Sequence, residues 1–302
     1  MLKAPQGLID AHHHLWDLDQ LYYPWLSDQF TDQTFMGDYQ DLCQNYSVND
    51  FKNDALPFQL LGSVHIEAEH DRANIFAELD WLVEQHSIFK LPTAIVAYAP
   101  LLDANIIKIL DKMSKYALFR GIRFKPQTSP SPKLKVSEMK GSLFDPNLVQ
   151  SLEHLANNNL VWDARVPYWH LEDLYHLAKK VPHLSIILEH SGLPWDRTPH
   201  GLNIWSHGMQ QLAQLHNVFV KLSELSTENQ NWPYVENIGL MKNILTWFGI
   251  DRCLFASNYP VAKRSVPYSV LVHAAMDTLA GYSQYEKDLF FIQNATRIYQ
   301  LE

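Results

Sequence analysis

Cysteine is almost missing from this sequence. Cys43 and Cys253 are the only two in 302 residues, and they stand in no close motif. That excludes a disulfide framework and fits a reducing compartment. Apolar runs long enough to span a bilayer are missing as well, and no secretory signal is read, so the expected setting is cytoplasmic and away from membranes. Positive charge is in deficit. Lys and Arg number 24 against 33 Asp and Glu, a formal charge of −9, which argues against nucleic acid or an anionic membrane as a partner. No Gly-rich phosphate fingerprint follows any β-like run, which weakens a dinucleotide-binding reading. No internal repeat or low-complexity linker marks a second domain, so one domain over 1–302 is expected.

What is present is a supply of core residues, 47% hydrophobic, in a regular alternation. Eight short β-rich runs recur, at 7–12, 60–68, 93–99, 119–124, 160–165, 184–190, 217–223 and 252–257. Most gaps between them carry helical spacing, as at 72–86, 103–116, 171–181 and 233–249, the last opening on proline and closing on glycine. A helix near 37–46 and a last helix over 286–301 complete the pattern. Eight strands alternating with helices at this length predict an α/β fold, the (β/α)8 TIM barrel, with an open doubly wound sheet as the alternative. The segment after the fourth strand includes "PSPKLK" at 130–135, read as a solvated loop and a candidate lid over the mouth.

Barrel enzymes keep their chemistry at the carboxyl ends of the strands. There the first strand carries "DAHHH". Alternation places His12 and His14 on one face with Asp10 below them, and turns His13 the other way. The second strand puts His65 and Glu67 on one face, and a charged Glu67 belongs in the mouth rather than against helices. Arg123 and Lys125 end the fourth strand, Glu189 and His190 the sixth, Lys221 and Ser223 the seventh, Ser257 and Asn258 the eighth. Trp16, Tyr23 and Trp25 in the first loop are candidates to line the pocket, and Trp195 and Trp205 likewise. His200 and His207 read as surface groups.

The ordered set "IDAHHHLWD", "YPWL", "GIRF", "LEHSGLP", "NVFVKLS", "RCLFASNYPV" and "NATRIY" resembles the amidohydrolase superfamily, in its amidohydrolase-related branch, and is similar to the sugar-lactone and 2-pyrone-4,6-dicarboxylate lactonase group. The resemblance covers almost the whole chain. It implies a (β/α)8 barrel and a hydrolase that opens a small sugar-acid or carboxylated lactone. His12 and His14 match the family's strand-1 His-x-His, and His190 its strand-6 histidine. Arg123 sits in the "GIR" element, which resembles a site for anionic substrate groups. Lys125, His65 and Trp16 join Arg123 as expected substrate contacts. Asn258 is a departure, because the family usually has there an aspartate that binds metal, activates water, or both.

The expected chemistry follows from what lactone opening needs. Water must lose a proton, and the oxyanion needs a donor or a positive partner. Asn258 cannot accept the proton but can orient water or substrate. His12 and His14, completed by Glu67, form a candidate zinc site with one open position. The strand-5 histidine of metal-dependent relatives is missing, so a metal-free mechanism stands beside the zinc one. In that version Glu67 or His190 is the base, and His12, His14 and Arg123 polarise the carbonyl or hold a carboxylate. The expected partner is a small anionic or sugar-lactone substrate, and a homo-oligomer is compatible with the sequence. Two alternatives of different class remain: a metal-dependent decarboxylase, and a non-catalytic binding relative that lost its acid at Asn258.

Overall fold

The β-like runs fold into eight parallel strands that pair strictly with their neighbours in the chain, from β1 to β8. The structure, a computed structural model, describes residues 5, 7–28, 38–132, 134, 140–227 and 231–301. The strands are β1 (Leu8–His13), β2 (Leu60–Ile66), β3 (Ala94–Ala97), β4 (Phe119–Arg123), β5 (Val161–Ala164), β6 (Ile186–Leu188), β7 (Val218–Leu222) and β8 (Cys253–Phe255). Two helices, α1 (Pro24–Ser27) and α2 (Val48–Ala55), lie in the long connection after β1. Then α3 (Ala77–Phe89), α4 (Ile106–Met113), α5 (Pro146–Asn157), α6 (Leu171–Ala178), α7 (Pro199–Ala213) and α8 (Tyr234–Phe248) follow β2 to β7 in turn. After β8 come α9 (Tyr268–Thr278), α10 (Gln284–Asp288) and α11 (Asn294–Ile298). This is the (β/α)8 barrel. Among the described residues, no helix is long and apolar enough to cross a membrane.

Local chemistry sets several boundaries. Ser47 and Asp50 form a reciprocal cap at the start of α2. Gly249, at φ 78°, ends α8 in a conformation that a side chain would oppose. The helix expected near 37–46 is only a short 3-10 turn at Gln40–Leu42, and residue 37 lies outside the described residues. The last helix is interrupted by a π-helical stretch at Leu289–Gln293, which a 3.6-residue periodicity cannot show. Of the expected lid at 130–135, residues 133 and 135 lie outside the described residues.

Two apolar layers hold the barrel. The inner one joins Ile9, Ala11, Val64, Ile66, Ala94, Val96, Val161, Ile187, Phe219, Leu254 and Ala256, with Ala295, Ile298 and Tyr299 near α11 packed against it. The outer layer lies between strands and helices and takes in Leu8, Phe51, Trp162 and Tyr268. Gly121 on β4 has no room for a side chain: a Cβ there would stand 2.4 Å from Val161. The seam between β8 and β1 closes just beyond β8. Asn258 N donates to His12 O at 2.8 Å, and His14 N donates to Tyr259 O at 2.7 Å. The residues that complete the barrel are therefore those expected to carry its chemistry.

Candidate active site

The site begins with an irregularity in β1. Ile9 and Ala11 face the barrel interior. Asp10 faces outward, where Tyr268 Oη on α9 donates to it at 2.9 Å and Ser257 N at 3.0 Å. The register with β2 then shifts between Asp10 and His13. After that shift the phase is reversed: His13 is the outward residue, stacked on Phe51 of α2 at 4.1 Å between centroids and 2.9 Å from Ser63 Oγ. Simple alternation put Asp10 beneath His12 and His14. That expectation fails because an extra residue in one strand switches every following side chain to the other face.

His12 and His14 point into the mouth with their Nε2 atoms 3.2 Å apart. His14 Nδ1 is 2.8 Å from the carbonyl oxygen of Ile66. A carbonyl only accepts, so Nδ1 carries the proton and Nε2 presents a lone pair toward His12 Nε2; Asn258 Oδ1, itself an acceptor, stands 3.2 Å from that lone pair without a hydrogen bond to it. His12 Nδ1 lies 3.5 Å from Lys221 Nζ and 3.7 Å from Glu189 Oε1. The His190 ring is 4.6 Å from that of His12, and its Nδ1 is 3.0 Å from Ser223 Oγ. Burial holds the pKa of each of these three rings well below the usual value, and neighbouring cations add to it: Lys221 beside His12, Arg123 beside His14, Arg165 beside His190. All three are neutral at pH 7.

Ion pairs organise the rest, three of them buried on both sides. Arg123 Nε lies 3.1 Å from Glu189 Oε1, and Arg123 Nη1 donates to the Glu67 carbonyl at 3.2 Å. The Glu67 carboxylate is 2.7 Å from Arg72 and 3.7 Å from Arg123. Burial opposes its charge, yet Arg72 and then Arg123 outweigh burial and hold its pKa below the usual range. Beneath the mouth, Lys221 pairs with Asp163, which also accepts from Tyr299 Oη at 2.9 Å. A cleft of about 400 Å³ opens over Glu67, Arg72, Tyr98, Arg123, Lys125 and Lys140.

The structure thus brings His12, His14, His190, Asn258, Arg123 and Glu67 to one end of the barrel, with Lys125 on the cleft wall. Two expected substrate contacts are elsewhere. His65 faces outward from β2, because Val64 and Ile66 occupy the interior face; its Nε2 is 3.2 Å from the Leu15 carbonyl oxygen. Glu67 does not share that face, since it lies beyond the end of β2. Trp16 is buried in the cover formed by the first connection, donating to Gln44 O at 2.6 Å and packed edge-on against Trp25. Trp205 is buried on α7.

A family model described as Amidohydrolase matches residues 9–301. The chain belongs to the amidohydrolase family. An uncharacterized protein, y4mH, of Sinorhizobium fredii is 35% identical over 98% of this chain and 99% of its own length. An L-fucono-1,5-lactonase of Burkholderia ambifaria is 24% identical over 84% of this chain and 81% of its own. Among solved structures, an amidohydrolase of Burkholderia multivorans with bound zinc superposes with a TM-score of 0.81, at 21% identity, covering 98% of this chain and all of that one. The family is one of hydrolases.

In this amidohydrolase, the metal-donor group among the described residues is His12, Glu189 and His190, whose ligand atoms lie within 4.8 Å of one another. It is not the expected set of His12, His14 and Glu67, because two arginines hold the Glu67 carboxylate. Glu189 Oε1 is buried without a hydrogen bond of good geometry, although Arg123 Nε is close. Two neutral imidazoles and a carboxylate are donors that suit zinc. Sequence reasoning missed Arg72, which reaches the cleft from the turn before α3, and Glu224, which touches Asn258 from beyond β7. Neither lies within a strand, so alternation had nothing to say about them.

A second arrangement has the look of a nucleophile triad and is none. His170 Nδ1 is 2.6 Å from Asp173, and its Nε2 is 2.9 Å from Ser129 Oγ. The Ser129 backbone N–H also donates to that same Nε2 at 2.9 Å, and the hydroxyl donates to Ser131 O at 2.9 Å. The imidazole lone pair is occupied and the serine is buried, so the group pins the loop after β4 to the start of α6.

Proposed function

We propose that this amidohydrolase opens a small lactone bearing an anionic group, by attack of water at the mouth of the barrel. The observation that carries the reading is the joining of two environments. A cleft with Arg72, Arg123, Lys125 and Lys140 on its walls lies beside a cluster of neutral histidines, His12, His14 and His190, with Arg123 and Glu189 between them. The cations suit a carboxylate on the substrate. Neutral imidazoles suit proton transfer and polarisation of a carbonyl. The likeness to a curated lactonase over most of both chains supports the reaction class.

In this reading the Arg123 hydrogens left over from Glu67 and Glu189, together with Lys125, bind the anionic group. His12 and His14 lie against the lactone carbonyl. His190 Nε2, with Ser223 orienting its other nitrogen, moves a proton to the leaving oxygen. Asn258 orients water or a neighbouring group, and Glu67 fixes Arg72 and Arg123. A divalent metal, where held by His12, Glu189 and His190, would polarise the carbonyl or acidify the water, and would take the His190 nitrogen out of proton transfer.

The test is a panel of lactones, with and without a carboxylate, followed by proton release and product NMR, in protein loaded with zinc and in protein treated with chelator. The expected result is ring opening with a clear preference for carboxylated members. Carbon dioxide release, or no turnover of any lactone, defeats the reading.

A further inference from the structure

Lactone opening leaves the proton acceptor for the attacking water unassigned, because Asn258 has no carboxylate. The carboxylates around the mouth differ in what holds them. Glu67 is paired with Arg72 and Arg123, which makes it a weak base. Glu189 is paired with Arg123, Glu69 with Lys125, and Asp163 with Lys221. Glu224 is different. It lies just beyond β7 and is half-buried, and its carboxylate accepts from the side-chain amide of Asn258, a neutral group. The other end of that amide is 3.2 Å from His14 Nε2. One amide therefore separates this carboxylate from the histidine cluster.

The backbone adds a second observation. Asn258 has φ 59° and Glu224 has φ 50°. Asparagine enters the left-handed region readily, and glutamate does so seldom. The fold holds Glu224 in a conformation it does not prefer, and such positions cluster at functional sites.

We propose, resting on the lactonase reading, that Glu224 is the general base of the reaction, supplying from the end of β7 the carboxylate that Asn258 lacks at the end of β8. The attacking water gives one proton to a Glu224 oxygen as its own oxygen bonds to the lactone carbonyl carbon. The ring C–O bond then breaks, and the departing alkoxide takes up a proton from His190, which Glu224 restores, or from Glu224 directly. Water is consumed, a hydroxy acid leaves, and the carboxylate is regenerated. Burial raises the Glu224 pKa, while the Asn258 amide, Arg165 after β5 and Arg264 after β8 pull it back, so it is a stronger proton acceptor than a carboxylate in water.

The test uses the intact enzyme and the lactone that the wild type opens best. Glu224→Gln, Glu224→Asp and Glu224→Gln/Asn258→Asp are compared with wild type for kcat, KM and pH profile, with circular dichroism to confirm folding. Glu224→Gln is expected to lose about 10²–10⁴ in kcat, with KM little changed and the acidic limb of the profile gone. The double variant is expected to recover part of that loss. Folded Glu224→Gln that keeps most of its kcat, or that changes only KM, overturns the proposal. Should the glutamine variant fail to fold, Glu224→Asp decides: lower kcat with a shifted acidic limb supports the assignment, and an unchanged profile overturns it. A wild type that opens no lactone overturns the lactonase reading itself and the proposal with it.

Discussion

The two faces of β1 carry histidines of similar burial and opposite surroundings. His12 and His14 face inward, His13 outward, with His65 of β2 beside it at 5.7 Å between rings. All four are withdrawn from water, and burial lowers all four pKa values. What separates them is the partner set. The outward pair meets Phe51, Ser63 and the Leu15 carbonyl oxygen, groups that neither take nor give charge. The inward pair meets Lys221, Glu189, Asn258 and each other. Burial and a shifted pKa therefore do not mark a functional histidine on their own. What sets His12 and His14 apart is the convergence of ionisable groups around them.

The comparison can be broken by substitution. His190→Asn, in the inward cluster, is expected to lower turnover by about 10²–10⁴, the range for losing a general acid, while the unfolding midpoint stays close to wild type. Full activity in that variant would remove the distinction between the two faces. Arg123→Met comes next. It leaves Glu189 buried without its cation and is expected to destabilise by about 3–5 kcal/mol, seen in urea unfolding. A neutral effect would show that Glu189 is not held as an ion there.

The outward face predicts a pH dependence. His65 has its pKa lowered from 6.5 to about 4, first because burial disfavours the imidazolium. The unfolded chain then binds the proton at higher pH than the folded one. Stability is present above pH 6.5 and is lost as pH falls toward 4, by about 3 kcal/mol for this one group. His65→Gln should flatten that slope in unfolding curves between pH 7 and 4 without changing kcat; an unaltered slope would place the proton elsewhere. His13→Leu is smaller: it strands the Ser63 hydroxyl at a cost of about 1–3 kcal/mol, again with kcat retained. Smallest is Ser129→Ala, expected to cost about 1 kcal/mol and no activity. Loss of turnover in that variant would reopen the triad reading of Ser129, His170 and Asp173.

Much of the candidate site was legible because barrel strands deliver their last residues to one place. His12, His14, Arg123, His190 and Asn258 could be named from strand ends alone. Asp10 and His65 went to the wrong face for different reasons: alternation assumes an unbroken pleat, and the β1 irregularity shows only as a register shift against β2, whereas His65 was placed by a phase taken from Glu67, which lies beyond the end of β2. Trp16 was misjudged because a loop tryptophan can cover a core as readily as line a cleft, and its Nε1–H had a backbone partner that periodicity cannot supply.

The sequence by itself determined the barrel, the family and the end of the barrel where the polar strand-end residues gather. Those depend on patterns that repeat along the chain: apolar runs, helical spacing and an ordered set of motifs. Tertiary structure alone decided which carboxylate answers to which cation. Glu67 is held by Arg72 and Arg123, Glu189 by Arg123, and Glu224 by the neutral amide of Asn258 beyond the neighbouring strand, with Arg165 and Arg264 acting on it more weakly. A carboxylate's basicity depends on the charges within a few ångströms of it. Those neighbours come from strands and loops as far apart as residues 67, 123, 189, 224 and 258, and they meet only when the barrel closes.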